Sequence, residues 1–499
     1  MRERGPRKEK AVRSARLSRA GKGKPARVAS GVGVLLVNMI PKSMSSETNQ
    51  DSEPMIAVNP TNPSHIVGTA FTPDPSEGGV APYFVSIDGG STWALNTVVP
   101  GGNMTGDITV AFSGTADKLY AGILRQDSPL ETRMNILRTN DFSSATEMDV
   151  LNDREQPDQP FAQAATVTNG ADSGKERLYV GSNDFAAKPN TATLDVSADA
   201  GTANPTFQSV RIEHRSTASA GQDGPQVRTA IHADGTIYAA FYGWRSQSGD
   251  WQANTLRVTA DVVVVRDDAW GVSQQSFQAL TDPADRLPGL RVAQGVQFAF
   301  NSTGKVTNGQ QRLGGTLSIA VDPRQGQSAT VYVAWGTDAQ ATGFTIHVRS
   351  SNDRGVTWSS RDLLSLPQAT NAALAVNSDG VVALLYQQLT GTGANPRWET
   401  HVRQSTDGAN WSDLILATTP ANNPTKTFDP YLGDYDHMLA VGKDFYGIFS
   451  ANNTPDQANF PSGVVYQRNA DFAAHNLLDL DNATTVDTSI DPFFFKVSG

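Results

Sequence analysis

The 499-residue chain contains no cysteine, which excludes disulfide staples, thiolate nucleophiles and cysteine-ligated metals without assigning a cellular compartment. Histidine is scarce, with seven in all. No His-Glu-x-x-His pair or comparable cluster occurs, so a metal hydrolase is disfavoured, and no Gly-x-Ser-x-Gly elbow announces a serine hydrolase. No stretch approaches the roughly 18 to 20 apolar residues of a membrane span. Charge is sparse, at 18% of residues, and uneven. Residues 1–27 hold eleven Lys and Arg, beginning Arg2, Arg4, Arg7, Lys8 and Lys10, against Glu3 and Glu9, a net +9. The remainder therefore carries −19 of the total −10. A body this acidic is a poor partner for duplex nucleic acid. Residues 1–32 are expected to be a disordered basic leader. Ser30, Gly31, Gly33 and Asn38 interrupt the apolar stretch that follows it, so residues 33–39 read as a strand. Localisation stays open between secreted and cytoplasmic, with a lean to secreted.

Glycine and proline are plentiful, 44 and 27 residues, which suits many short strands joined by turns. An eight-residue signature occurs twice in full, as Ser86-Ile-Asp-Gly-Gly-Ser-Thr-Trp93 and Ser351-Asn-Asp-Arg-Gly-Val-Thr-Trp358. A shortened copy, Ser405-Thr-Asp-Gly-Ala-Asn-Trp411, and a worn one, Ser197-Ala-Asp-Ala-Gly201, keep the Asp and the Gly. An Asp heading a tight turn accepts hydrogen bonds from amides a few residues on, Gly supplies a positive φ, and Thr-Trp restarts an extended segment. These aspartates are therefore read as structural staples, and the chain as an array of repeats.

The pattern Ser-x-Asp-x-Gly-x-Thr-Trp resembles the Asp-box, or bacterial neuraminidase repeat, of sialidases, related glycosidases, sortilin-type receptors and non-catalytic proteins. The resemblance implies an all-β fold, a β-propeller of four-stranded antiparallel blades. Aligning apolar segments on the unit around 316–358 gives seven blades, with six as the alternative. Residues 33–499 are expected to form a single propeller domain, with an insertion near 267–313. The circle should close by pairing residues 490–497 with the N-terminal strand.

In that family the boxes lie on the face opposite the ligand. Candidate site residues therefore fall where the chain enters each inner strand, at Glu53, Asp107, Asp158, Arg228, Asp434, Tyr435 and Asp436. Others fall where the second strand turns into the third, at Asp74, Arg125, Trp244 and Arg245. Tyr435 stands where the resemblance places a nucleophilic tyrosine. Such a phenol needs a carboxylate as base, supplied by Asp434, Asp436, Glu53 or Asp158. Asp74 takes the place of the family's acid/base residue. Arg228, Arg245 and Arg125 are the cations for a sugar carboxylate, with Asp107 and Trp244 as further substrate contacts.

The function this implies is a sialidase-like glycoside hydrolase at the channel mouth. A version using two carboxyl groups, drawn from Glu53, Asp107, Asp158 and Asp436, needs no tyrosine. The alternative is a non-catalytic propeller that binds glycans or protein segments, with Trp244, Trp251, Trp335 and Trp398 as stacking surfaces. The chain departs from the family in lacking Arg-Ile-Pro before the first box, where it reads Ser52-Glu-Pro-Met-Ile56. A glycan partner, a monomer and no cofactor are expected. Structural Ca²⁺ held by loop carboxylates and carbonyls is left open.

Overall fold

The first strand of each repeat is a short apolar run bounded by turn residues, the pattern of a strand covered on both faces. All seven residues of Ser52–Val58 and all eight of Ala369–Val376 are accordingly buried. In the computed structural model, residues 33–71, 82–96, 104–128, 131–215, 227–250, 253, 255–300, 316–324, 329–339, 343–391, 395–424 and 432–498 are described. Among them, seven sheets of four or more strands, antiparallel but for the short edge strand Val465–Tyr466, follow one another along the chain. Their innermost strands are Ser52–Val58, Met104–Phe112, Pro157–Thr166, Arg228–Ile231, Leu317–Val321, Ala369–Val376 and His437–Val441. Each lies against the next, and the last returns to the first. The chain is a β-propeller with these strands around a central channel.

The core lies between neighbouring sheets. One apolar cluster packs Tyr238, Tyr242 and Trp244 of the fourth sheet against Leu317, Val331 and Trp335 of the fifth. Another joins Met55, Ile108, Phe161 and Tyr435 from four sheets around the channel. Leu290–Ala299, inside the stretch read as an insertion, is the outer strand of the fourth sheet. Two register shifts interrupt its pairing, and they obscure its alternation in the sequence. A further small sheet, Ala470–Asp471, Asn476–Leu478 and Thr485–Val486, lies before the final strand.

The repeated turns behave as their residue types dictate. Asp353 accepts from the Thr357 amide at 2.8 Å and the Thr357 hydroxyl at 2.5 Å, and Ser351 Oγ accepts from the Gly355 amide at 2.8 Å. The Trp358 indole donates to the Gly355 carbonyl at 3.2 Å. Asp88 and Asp407 are bonded in the same way. In the worn copy Asp199 reaches seven residues on, to the Thr206 amide at 2.8 Å. Gly90, at φ 86°, needs to be glycine, because a Cβ there would come within 2.0 Å of the Phe494 ring.

The ends meet. Val34–Asn38 pairs antiparallel with Ile490–Val497 as the fourth strand of the seventh sheet, and the Ser498 amide donates to the Gly33 carbonyl at 3.1 Å. Buried Arg468 and Asp491, 3.0 Å apart, hold the small sheet's approach against this closure.

Candidate functional site

A β-bulge interrupts four of the seven innermost strands near their start, between Ser52 and Met55, Thr105 and Ile108, Asp158 and Phe161, and Thr370 and Ala373. A bulge leaves extra residues unpaired and re-aims their side chains. The residues so displaced include Glu53, Asp107, Gln159 and Asn371. Glu53, Gln159 and Asn371 are held at φ 51°, 50° and 57°. Non-glycine residues adopt this backbone rarely and at a cost of order 1 to 3 kcal/mol each, which the surrounding structure must offset.

Three of these side chains converge at the channel mouth on Asp434 and Tyr435, just ahead of the seventh sheet's innermost strand. The Tyr435 hydroxyl donates to Asp107 Oδ1 at 2.6 Å across 328 residues of sequence. The Asp434 amide donates to Glu53 Oε1 at 3.0 Å, and Gln159 Nε2 donates to Asp434 Oδ2 at 3.1 Å. Gly433 permits this approach, since at φ 91° a Cβ would lie 2.4 Å from Glu53 Cγ. From the fourth sheet, the Arg228 guanidinium sits 5.1 Å from the Tyr435 ring centre and 4.6 Å from that of Phe161. Cation–π contacts of this kind are worth about 2 kcal/mol when desolvated.

The electrostatics follow from burial. Tyr435 is 3% exposed and Arg228 5%. Burial, then the carboxylates of Asp107 and Glu53, push the Tyr435 phenol well above its ordinary value, against the pull of Arg228. Burial pushes Arg228 down to about 10, partly opposed by Tyr435 and Asp107, so it stays charged at neutral pH. The phenol therefore holds its proton at rest, along a short hydrogen bond to an acceptor that can take it.

Of the residues singled out in the sequence, Tyr435, Asp107, Glu53, Arg228 and Asp434 come together. The acceptor for the phenol is Asp107, a residue assigned above to substrate contact, because its bulge swings it across the channel. Asp436 does not join them. Its carboxyl lies beside the Ser450 backbone, is 1% exposed and is pushed well above the carboxylate range by burial. Asp158 is half-buried opposite Asn183, and Arg125 is half-buried opposite Thr105. Arg245 is held by Glu213 at 3.0 Å and Asp261 at 2.8 Å. Trp244 offers no stacking face, being 2% exposed and packed edge-on to Phe298 and Phe300. Trp398 is 1% exposed. Asp74 and Trp251 lie outside the described residues. Gln159 was missed, although Gln159-Pro160 repeats the polar-proline step of Glu53-Pro54. Glu213, the anchor of Arg245, carries no comparable signal.

Below the cluster the channel contains a cavity of about 210 Å³ reached by Arg228, Asp436 and His437, and a larger one of about 510 Å³ with mostly apolar walls. Among the described residues no group of three or more His, Asp or Glu is placed to hold a metal ion. No helix among them is long and apolar enough to cross a membrane.

No protein-family model matches the chain, and no curated protein matches it. Among solved structures it is similar to the GH93 α-L-arabinofuranosidase of Fusarium graminearum in complex with arabinobiose, at 12% identity and a TM-score of 0.43, over 71% of this chain and 92% of that one. It is similar to YCF48 bound to D1 peptide, at 10% identity and 0.36, over 84% and 95%. It is also similar to Chaetomium thermophilum Sqt1 bound to the N-terminus of ribosomal protein L10, at 14% and 0.39, over 81% and 87%. At these identities and scores the likenesses say nothing about chemistry.

Proposed function

We propose that the chain is a glycoside hydrolase of Asp-box propeller type, its seven sheets being seven blades, with Tyr435 as nucleophile and Asp107 as the base that takes its proton. The observation that carries this reading is the 2.6 Å hydrogen bond from the Tyr435 hydroxyl to Asp107, with Arg228 against the same ring. A phenol whose proton is held at rest becomes nucleophilic only as that proton moves, and Asp107 is in place to accept it as the oxygen attacks the anomeric carbon. The Glu53 carboxylate adds negative charge around the same point, which suits an oxocarbenium-like transition state. Asp74 stays the proposed acid for the departing oxygen.

The same charges argue for a neutral sugar. A sugar carboxylate needs paired guanidinium forks, and of the proposed cations Arg245 is already held by two carboxylates while Arg228 lies under a ring. The test is hydrolysis of a panel of chromogenic glycosides, a sialoside included. Tyr435→Phe and Asp107→Asn should each reduce kcat by about 10² to 10⁴-fold, with neutral glycosides preferred. Undiminished turnover by Tyr435→Phe sinks the assignment.

One observation favours a second reading, a propeller that only binds glycans or protein segments. Glu53, Asp107, Arg228 and Tyr435 are each 8% exposed or less, and the Tyr435 hydroxyl and one oxygen each of Asp107 and Glu53 are already engaged in hydrogen bonds. Absence of turnover on every glycoside by the folded protein would favour that reading.

A further inference from the structure

The fifth and sixth sheets share a unit that the channel mouth does not use. In the fifth, His347 stacks on Trp335 with ring centres 5.3 Å apart, and its Nδ1 lies 2.8 Å from Asp362 Oδ2, while Arg349 Nε donates to Asp362 Oδ1 at 2.8 Å. In the sixth, His401 stacks on Tyr386 at 4.8 Å, its Nδ1 lies 3.0 Å from Asp413, and Arg403 donates to Asp413 at 3.1 Å. The repeated His-Val-Arg and its partner Asp are thus a staple of the blade. The two copies differ at the other imidazole nitrogen. His401 Nε2 faces the Glu399 carboxylate at 3.3 Å, whereas His347 Nε2 meets the Thr337 hydroxyl at 3.0 Å.

That hydroxyl lines a recess of about 400 Å³ between the fourth and fifth sheets, together with His347, Arg349, Asp362 and the apolar Val292 and Val296. The recess is walled by the outer strand of the fourth sheet, whose register shifts on either side of Val262 bend it. A carboxylate at Nδ1 favours the tautomer that carries its proton there, which leaves Nε2 able to accept from the Thr337 hydroxyl. This is the arrangement of an activated nucleophile: hydroxyl, base, and a carboxylate that orients the base. Thr337 and His347 lie on neighbouring strands and Asp362 in the loop that follows the second, so no local motif could reveal it.

We propose that Thr337, His347 and Asp362 form a second catalytic site, which hydrolyses short acyl esters. Thr337 Oγ bonds to the ester carbonyl carbon as its proton passes to His347 Nε2. The carbon–oxygen bond to the alcohol breaks, and the alcohol leaves with that proton. Water then attacks the acyl-threonine with His347 again as base, releasing the acid and restoring the hydroxyl. Arg349 supplies the positive charge that an oxyanion in this recess meets. The recess, flanked by Val292 and Val296, has room for a short acyl group and part of its alcohol. This activity is independent of the chemistry at Tyr435.

The experiment is turnover of p-nitrophenyl acetate by the full chain, with peptide mass spectrometry of protein quenched during turnover. Wild type should exceed the background rate and carry an acetyl group on Thr337. Thr337→Ala and Asp362→Asn should lose at least 100-fold, and Thr337→Ser should stay within tenfold of wild type. A structural role alone would not place acetyl on Thr337. Because Asp362 also holds Arg349, the thermal midpoint of each variant is measured, and the Thr337 variants alone decide if Asp362→Asn is unfolded. Background-level turnover by wild type, full activity in Thr337→Ala, or acetyl found only elsewhere would overturn the proposal.

Discussion

His437 lies on the channel wall, where its Nδ1 accepts the Ile56 amide of the first sheet at 3.2 Å. Burial, then the charge of Arg228, push its pKa down to about 3. The folded chain therefore keeps this imidazole neutral at pH values where the unfolded chain, titrating near 6.5, has taken up a proton. Below about pH 6.5 the unfolded state binds the extra proton, so stability falls as pH falls, until the folded imidazole protonates near pH 3. Between pH 7 and 5 the expected loss from this group is about 2 kcal/mol. Urea midpoints at the two pH values check it, with His437→Asn, which keeps an acceptor for the Ile56 amide, as the comparison. An equal loss in the variant would remove His437 as the cause. At this scale the sequence marks polar residues that precede apolar runs, and Glu53, Asp107, Arg228, Asp434 and Tyr435 are legible as such. Which of them touch is not legible, because the 2.6 Å contact spans 328 residues. Trp244 was misjudged for a related reason, since an aromatic following a strand looks the same whether its face meets solvent or Phe298.

Among the elements, the repeated turn is the most legible and the bulge the least. Asp, Gly, Thr and Trp at fixed spacing specify their own hydrogen bonds, and the turn forms wherever they occur. Asp353→Ala removes two acceptor contacts to Thr357 and should destabilise the chain by about 1 to 2 kcal/mol. It should leave glycoside turnover unchanged, because the turn lies at the opposite end of its sheet from the channel mouth. Denaturant midpoints and kcat, measured together, check both halves, and loss of turnover in a fully folded variant would contradict the separation. A bulge leaves a fainter trace. Glu53-Pro54 and Gln159-Pro160 carry one in the proline, which lacks the amide that a regular ladder would use, but Asp107 and Asn371 have no such marker. The outer strand Leu290–Ala299 was hidden by the same kind of irregularity.

Across the described residues, the seven innermost strands close a ring in which one sheet, the seventh, takes strands from both ends of the chain. Elsewhere among the described residues a sheet ends before the next begins, and the two meet through side-chain packing and scattered hydrogen bonds, such as that from the Thr69 hydroxyl to the Ile108 carbonyl at 2.9 Å, with no strand ladder between them. The N-terminal strand Val34–Asn38 instead enters the sheet begun by His437–Val441, and five residue pairs join it to Ile490–Val497. In a carpenter's terms the chain has one lap joint and several butt joints. Circular permutation can exchange them. Joining Ser498 to Gly33 through a short linker makes the lap covalent, and the position of the new ends decides what replaces it. Ends opened between the exposed Gln274 and Gln275, inside the fourth sheet's connection, recreate a lap. Ends opened between the third and fourth sheets leave a butt joint at the break. The first permutant should unfold in one cooperative step near the native midpoint. The second should lose its terminal sheets at lower denaturant, in a separate earlier transition, and identical unfolding of the two would show that side-chain packing alone can hold the ring shut.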